Sequence, residues 1–281
     1  MRMKYFLKYN YNLKDPTIYK VKNSIRIKDG EKRYILCETD KLDELENINQ
    51  IIEQEHLRER FYYIQKSKDN QLYSILNGHN YVLLETHKIK ANLSSPIKLT
   101  TKINGEIVKT DWKKLWIKKK DYYSKIINKN SKEEYDITIY NYYDSMAETA
   151  IAYVNGLNPE NKTQILTYRV LEEGELYNPL NLIVDIEERE LSEKIRKIIR
   201  KQDITTTKLN QLLSNYENIN LELVYARLIF PNYYYDGLLV SAINNMQFKM
   251  LISEITNYEN RLKEIYKEFT KKQDIKKIDW L

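Results

Sequence analysis

The chain has 281 residues, 42% hydrophobic and 12% aromatic, enough to bury the core of one large domain or two lobes and too apolar for wholesale disorder. Its 46 basic and 40 acidic residues are mostly interspersed, so the net charge of +6 predicts a solvated surface; a nucleic-acid footprint needs clustered cations. The single cysteine excludes an internal disulfide framework and suits a reducing cytoplasm, and no stretch has the length and apolarity of a signal peptide or membrane span.

Residues 1 to 40 read as strands at Tyr5 to Leu7, Ile18 to Val21, Ser24 to Ile27 and Arg33 to Cys37, with Asp29-Gly30 as a hairpin signal. Leu42, Leu45, Ile48 and Ile52 then follow helical spacing, with Asp43, Glu44 and Glu46 placed to favour the helix dipole. Strands at Phe61 to Ile64, Leu72 to Ile75 and Tyr81 to Leu84 follow, the last entered through Asn77-Gly78. This pattern predicts a small mixed lobe over 1–86. Residues 87–111, broken by Ser94-Ser95-Pro96 and Asn104-Gly105, read as a connector. Residues 112–281 are mainly helical. Trp112, Leu115, Trp116, Lys119 and Tyr123 share one helical face, and Tyr143 to Val154 another, with Gly156 placed to stop that helix. Further helices are expected near 205 to 217, 219 to 229 and 236 to 269, with a break at Phe230-Pro231.

Between them, Ile165 to Lys201 runs strand, loop, strand, Asp, helix, the layout protein-kinase-type phosphotransferases use for a catalytic loop and a metal-binding Asp. Most of the chemistry is missing from it. Cys37 stands where a phosphate-pairing Lys belongs, although Lys32 and Lys41 lie nearby as surface lysines, and Glu53 on the next helix lacks a lysine partner. Gly30 is the only glycine among the first strands, so a phosphate cradle is absent. Tyr168 occupies the His position of a His-x-Asp loop and Val170 the position of its base. An apolar side chain accepts no proton, and that role contributes roughly 10²- to 10⁴-fold in rate. Glu175 replaces a metal-binding Asn and could hold a cation or be merely solvated. Asp185, at a strand end, suits either a metal ligand or a structural ion pair with Arg189. At most ~18 Å of chain joins Asp185 to Glu190, where the next helix is expected to begin, which leaves little room for an activation segment. His56, His79 and His87 lack metal-ligand spacing. Lys118-Lys119-Lys120 beside Trp112, Trp116 and Tyr122 could contact single-stranded nucleic acid, but core plus solvated face accounts for the same spacing.

Four ordered segments carry a resemblance. Trp112-Lys113-Lys114-Leu115-Trp116 with Asp121-Tyr122 resembles a "W-x-x-LW … D" helix, and Tyr142 to Ile151 a "Y-x-GMAE-x-AI" helix. Val184-Asp185 with Arg189 to Arg196 is similar to "V-x-D-H-x-x-RDLAEWIR", departing from it at Ile186, Glu190 and Ser192. Leu221 to Asp236 is similar to "YARLLFP-x-x-YF". Together they resemble YutH-like spore coat proteins, relatives of the CotS group with a protein-kinase-like fold. The resemblance implies an α+β, two-lobed kinase-like protein with other spore coat proteins as partners, made in the mother-cell cytoplasm and deposited on the spore. Beside the substituted loop, it leads to the expectation of a pseudokinase with a structural role in coat assembly. Neither a cofactor nor a nucleic-acid partner is expected, and Arg189, Glu190, Arg227, Trp112 and Trp116 are expected to be structural, Arg227 by anchoring helices through a carboxylate. The alternative is a divergent active phosphotransferase that uses ATP and magnesium, with Asp185 and Glu175 as metal ligands.

Overall fold

The computed structural model describes residues 2–21, 24–53, 60–87, 97–98, 111–130, 134–157, 159, 162, 164–169, 175–241 and 245–276. Two compact units emerge: Met1–Val108 with Leu166–Val184, and Lys109–Ile165 with Asp185–Leu281. Both are discontinuous or interrupted in sequence, because the segment 166–184 returns to the first unit.

The first unit contains helix α1 (Arg2–Tyr11), strands β1 (Thr17–Val21), β2 (Ser24–Asp29) and β3 (Lys32–Glu38), helix α2 (Leu42–Ile52), and strands β4 (Tyr63–Gln65), β5 (Ser74–Leu76), β6 (His79–Thr86) and β7 (Ile97–Lys98). The main sheet is antiparallel in the order β1-β2-β3-β6-β4, with β5 also paired to β6. Two of its tight hairpins follow from their turn residues. Asp29 pairs with Lys32 and leaves Gly30, at φ +61°, as first loop residue, the position a type II′ turn reserves for glycine. Leu76 pairs with His79 across Asn77 and Gly78, at φ +54° and +84°, the two left-handed residues of a type I′ turn.

Side chains alternate across this sheet. Leu83 joins Ile27, Tyr34 and Leu36 against Phe6 and Leu7 of α1, while its neighbours Val82 and Leu84 join Leu45, Ile48, Ile51 and Ile52 of α2. The expected strand at Tyr5 to Leu7 is therefore a helix. Met3, Phe6, Leu7 and Tyr11 meet the sheet at helical spacing, and Asn12, at φ +56°, turns the chain out of it.

The remaining elements are α3 (Trp112–Asn130), α4 (Glu134–Leu157), β8 (Gln164–Tyr168), β9 (Leu182–Ile186), α5 (Glu187–Ile199), α6 (Thr206–Leu213), α7 (Leu221–Ile229), α8 (Asn232–Ser241) and α9 (Asn245–Thr270). Strands β7, β8 and β9 form a second sheet in that order. The helices of the second unit enclose an aromatic core in which Trp116 stacks on Phe230 at 4.5 Å, Tyr123 on Tyr235 at 4.9 Å and Tyr143 on Tyr234 at 4.1 Å. Phe230 is extended (φ −59°, ψ 120°), as a residue before proline must be, and this breaks α7 from α8. Several boundaries differ from the sequence expectation. Leu115 lies off the buried face, α4 runs one residue beyond Gly156, and α6 stops at Leu213. Helix α5 starts at Glu187, three residues before Glu190, because the extended Ile186 (φ −93°, ψ 161°) leads straight into it. The connector expected at 87–111 lies almost wholly outside the described residues.

Candidate functional site

With no loop between β9 and α5, the helical repeat sets Asp185, Arg189, Ser192, Glu193 and Arg196 along one side of the chain. That side is buried except at Glu193, which is half-buried. The Asp185 side chain, 2% exposed, accepts from Trp112 Nε1–H at 2.9 Å and 3.2 Å through its two oxygens and from its neighbour Ile186 N–H at 2.9 Å. Arg189 Nε lies 3.2 Å from its Oδ2. One turn on, Arg196 Nη1 and Arg227 Nη2 converge on Glu193 Oε1, at 2.5 Å and 2.9 Å. Arg227 also donates from Nε to Ser192 Oγ at 3.0 Å, and its guanidinium lies 4.5 Å over the Trp112 ring. Arg196 Nη2 donates to the Arg227 carbonyl, and Tyr258 Oη to the Leu228 carbonyl.

The charges in this cluster are set by burial and by one another. Burial pushes the Asp185 carboxyl up, against the pull of Arg227 and Arg189. Burial and then the like charge of Arg227 bring Arg189 down to about 10. Burial also opposes ionisation of Glu193, yet Arg196 and Arg227 together hold it well below the usual carboxylate range. Three guanidiniums and two carboxylates thus join α5, α7 and the start of α3. Glu190 faces a separate group, with Lys194 Nζ at 2.7 Å and Tyr216 Oη at 3.0 Å. Glu188 accepts from the Asn220 N–H and pairs with Lys162.

The first unit holds the remaining candidates. Tyr168 is buried with Phe61 in the apolar core under α2. Val170 lies outside the described residues, as does His56. Glu175 accepts from Asn178 Nδ2 at 2.9 Å, and its carbonyl accepts from Asn181 Nδ2. Burial, reinforced by the Glu175 charge, pushes the Cys37 thiol up to about 12, which makes it an unreactive core sulfur. Lys32 pairs with Glu85, Arg169 with Glu44 at 3.4 Å, and Glu53 accepts from Asn49. His79 pairs with Glu38, and His87 stacks on Tyr63. In the run Lys118-Lys119-Lys120, Lys119 meets Asn232 and Asp236 and Lys120 meets Glu148 and Asp144. Among the described residues no three His, Cys, Asp or Glu side chains gather as a metal site.

The Asp185–Arg189 ion pair expected from the sequence is present, and the structure adds Trp112 and Arg227, which were singled out separately, to the same cluster. Sequence reasoning did not give roles to Ser192, Glu193 or Arg196. Their signal was present: charged residues at three- and four-residue spacing beside the apolar Ile195 and Ile199.

A family model described as "Spore coat putative kinase YutH" matches residues 4–278. The chain belongs to the spore coat YutH family. The comparison with curated proteins found no match. Solved structures agree on the fold. An aminoglycoside phosphotransferase from Alicyclobacillus acidocaldarius is similar with a TM-score of 0.62 at 11% identity, over 94% of each chain. The spectinomycin phosphotransferase APH(9)-Ia in its AMP-bound complex has a TM-score of 0.59 at 10% identity, over 97% of this chain and 98% of that one. Choline kinase LicA from Streptococcus pneumoniae has 0.51 at 11% identity, over 92% and 98%. At such identities the likeness shows the fold, which is two-lobed and kinase-like. The segments that carry the YutH resemblance all reach the buried charge cluster or the aromatic core beside it.

Proposed function

We propose that this YutH-family chain serves the spore coat as a kinase-like scaffold that does not transfer phosphate. The observation that carries the reading is the occupation of Asp185: both its oxygens are taken by the Trp112 indole, the Ile186 amide and Arg189 inside a buried cluster. A carboxylate so engaged would have to break those bonds before it could ligate a cation. The other positions agree with it. Cys37 offers no charge to a phosphate, and Gly30 is the only glycine in the sequence before Gly78, too few for a glycine-rich cradle. The Glu175 carboxylate is tied to Asn178. These residues do not fit a magnesium nucleotide. Family membership supports association with other coat proteins, following synthesis in the mother-cell cytoplasm.

A divergent phosphotransferase using Asp185 and Glu175 as metal ligands is the competing reading, favoured by the likeness to phosphotransferase structures. Thermal-shift titration with ATP and magnesium separates the two. The scaffold reading predicts a melting temperature that does not move with nucleotide. A magnesium-dependent rise that disappears in Asp185→Asn would establish the competitor.

A further inference from the structure

We propose that the outer edge of β1 is a docking site for an extended acidic polypeptide segment, which adds to the main sheet as a further strand. Strand β1 ends the strand order, and among the described residues no strand pairs with its outer side. All five of its residues are exposed, including Ile18 at 36%, Tyr19 at 48% and Val21 at 40%. A bare edge carrying apolar side chains is an aggregation hazard unless something covers it, and an added strand would satisfy its main-chain groups directly.

Charge identifies the occupant. Residues 1–33 contain ten basic and three acidic residues, a net +7 against +6 for the whole chain, so the balance is concentrated here and the rest of the sequence is close to neutral. The register places much of it beside the edge. Tyr19 lies across from Arg26, Thr17 across from Lys28, and Lys28 across from Arg33. These rows share one sheet face, on which the residues of β1, β2 and β3 include no acid. Arg26, Lys28 and Arg33 are all exposed. Lys20 projects on the other face, beside Ile18. An incoming strand with alternating acidic side chains would meet Arg26 and Lys28 on the first face, which is the favoured one, and on the second Lys20 alone, with Asp29 of β2 on the same side. A second copy of this chain, docking β1 against β1, would instead bring together two strongly basic segments, which repel. Single-stranded nucleic acid would answer the charge but makes no use of the open main-chain edge.

The test uses the full chain with a fluorescein-labelled peptide of alternating valine and glutamate. Binding should be saturable, should weaken with salt and should slow hydrogen exchange at Thr17–Val21. The triple variant Lys20→Glu, Arg26→Glu, Lys28→Glu, folded by circular dichroism, should bind about tenfold more weakly or worse. A fully N-methylated version of the peptide, which keeps the charge and cannot form a ladder, should not bind. Three results would overturn the proposal. They are no binding of the parent peptide, equal binding of the N-methylated peptide, or oligothymidylate binding at least as tightly as the parent peptide without protecting β1.

Discussion

Arg227 shows how one side chain can hold several elements at once. It reaches Ser192 and Glu193 on α5 and lies over Trp112 on α3, all from within α7. Arg227→Ala removes a buried partner of Glu193 together with the ring contact, so unfolding free energy should fall by about 3–5 kcal/mol. An unchanged denaturant midpoint would show that the contacts carry no net stability. Glu193 supplies the pH dependence. Its carboxyl is held below its ordinary value of 4.5 in the folded chain, so the stability it contributes is complete above that value and is lost as pH falls below it. The melting temperature of the wild type should therefore drop more steeply on acidification below pH 4.5 than that of Glu193→Gln, which should be less stable than the wild type at neutral pH and closer to it in acid. Parallel curves would remove Glu193 as the source.

At the scale of elements, helix α7 shows how local sequence and tertiary packing divide the work. Asn220 Oδ1 accepts from the Glu222 and Leu223 amides and so fixes where the helix starts; Phe230-Pro231 fixes where it stops. Asn220→Ala should cost about 1 kcal/mol in chemical denaturation, and no loss would mean that Glu188, which binds the Asn220 N–H, sets the boundary alone. Such punctuation is legible in sequence, as are the Gly30 and Asn77-Gly78 hairpins. Helix α1 is not. Tyr5-Phe6-Leu7 is as apolar as a short strand, and only the sheet surface it covers reveals that Met3, Phe6, Leu7 and Tyr11 form a helical stripe. The start of α5 is misjudged for a similar reason. Glu188 and Arg189 look like loop residues until their partners are known.

Over the whole molecule, the spacing of strands and helices suggests a small mixed lobe followed by a mainly helical one, with a kinase-type layout from Ile165 to Lys201, and the resemblance of the four motif segments implies the two-lobed kinase-like fold. What the linear pattern could not supply is the return of 166–184 to the first unit, or the Trp112 indole as a partner of Asp185 beside the expected Arg189. An aspartate at a strand end looks alike whether it faces a metal or a ring nitrogen 73 residues away. Its role decides how the family fold is used here. The unfolding free energy of Asp185→Asn beside that of the wild type, each with and without magnesium and ATP, tests this most directly. An anchoring carboxylate predicts a loss of about 3–5 kcal/mol, since Arg189 keeps its charge and loses the carboxylate it pairs with, with no effect of nucleotide on either protein. An Asp185→Asn chain as stable as the wild type, lacking a magnesium-dependent nucleotide stabilisation that the wild type displays, would contradict the account.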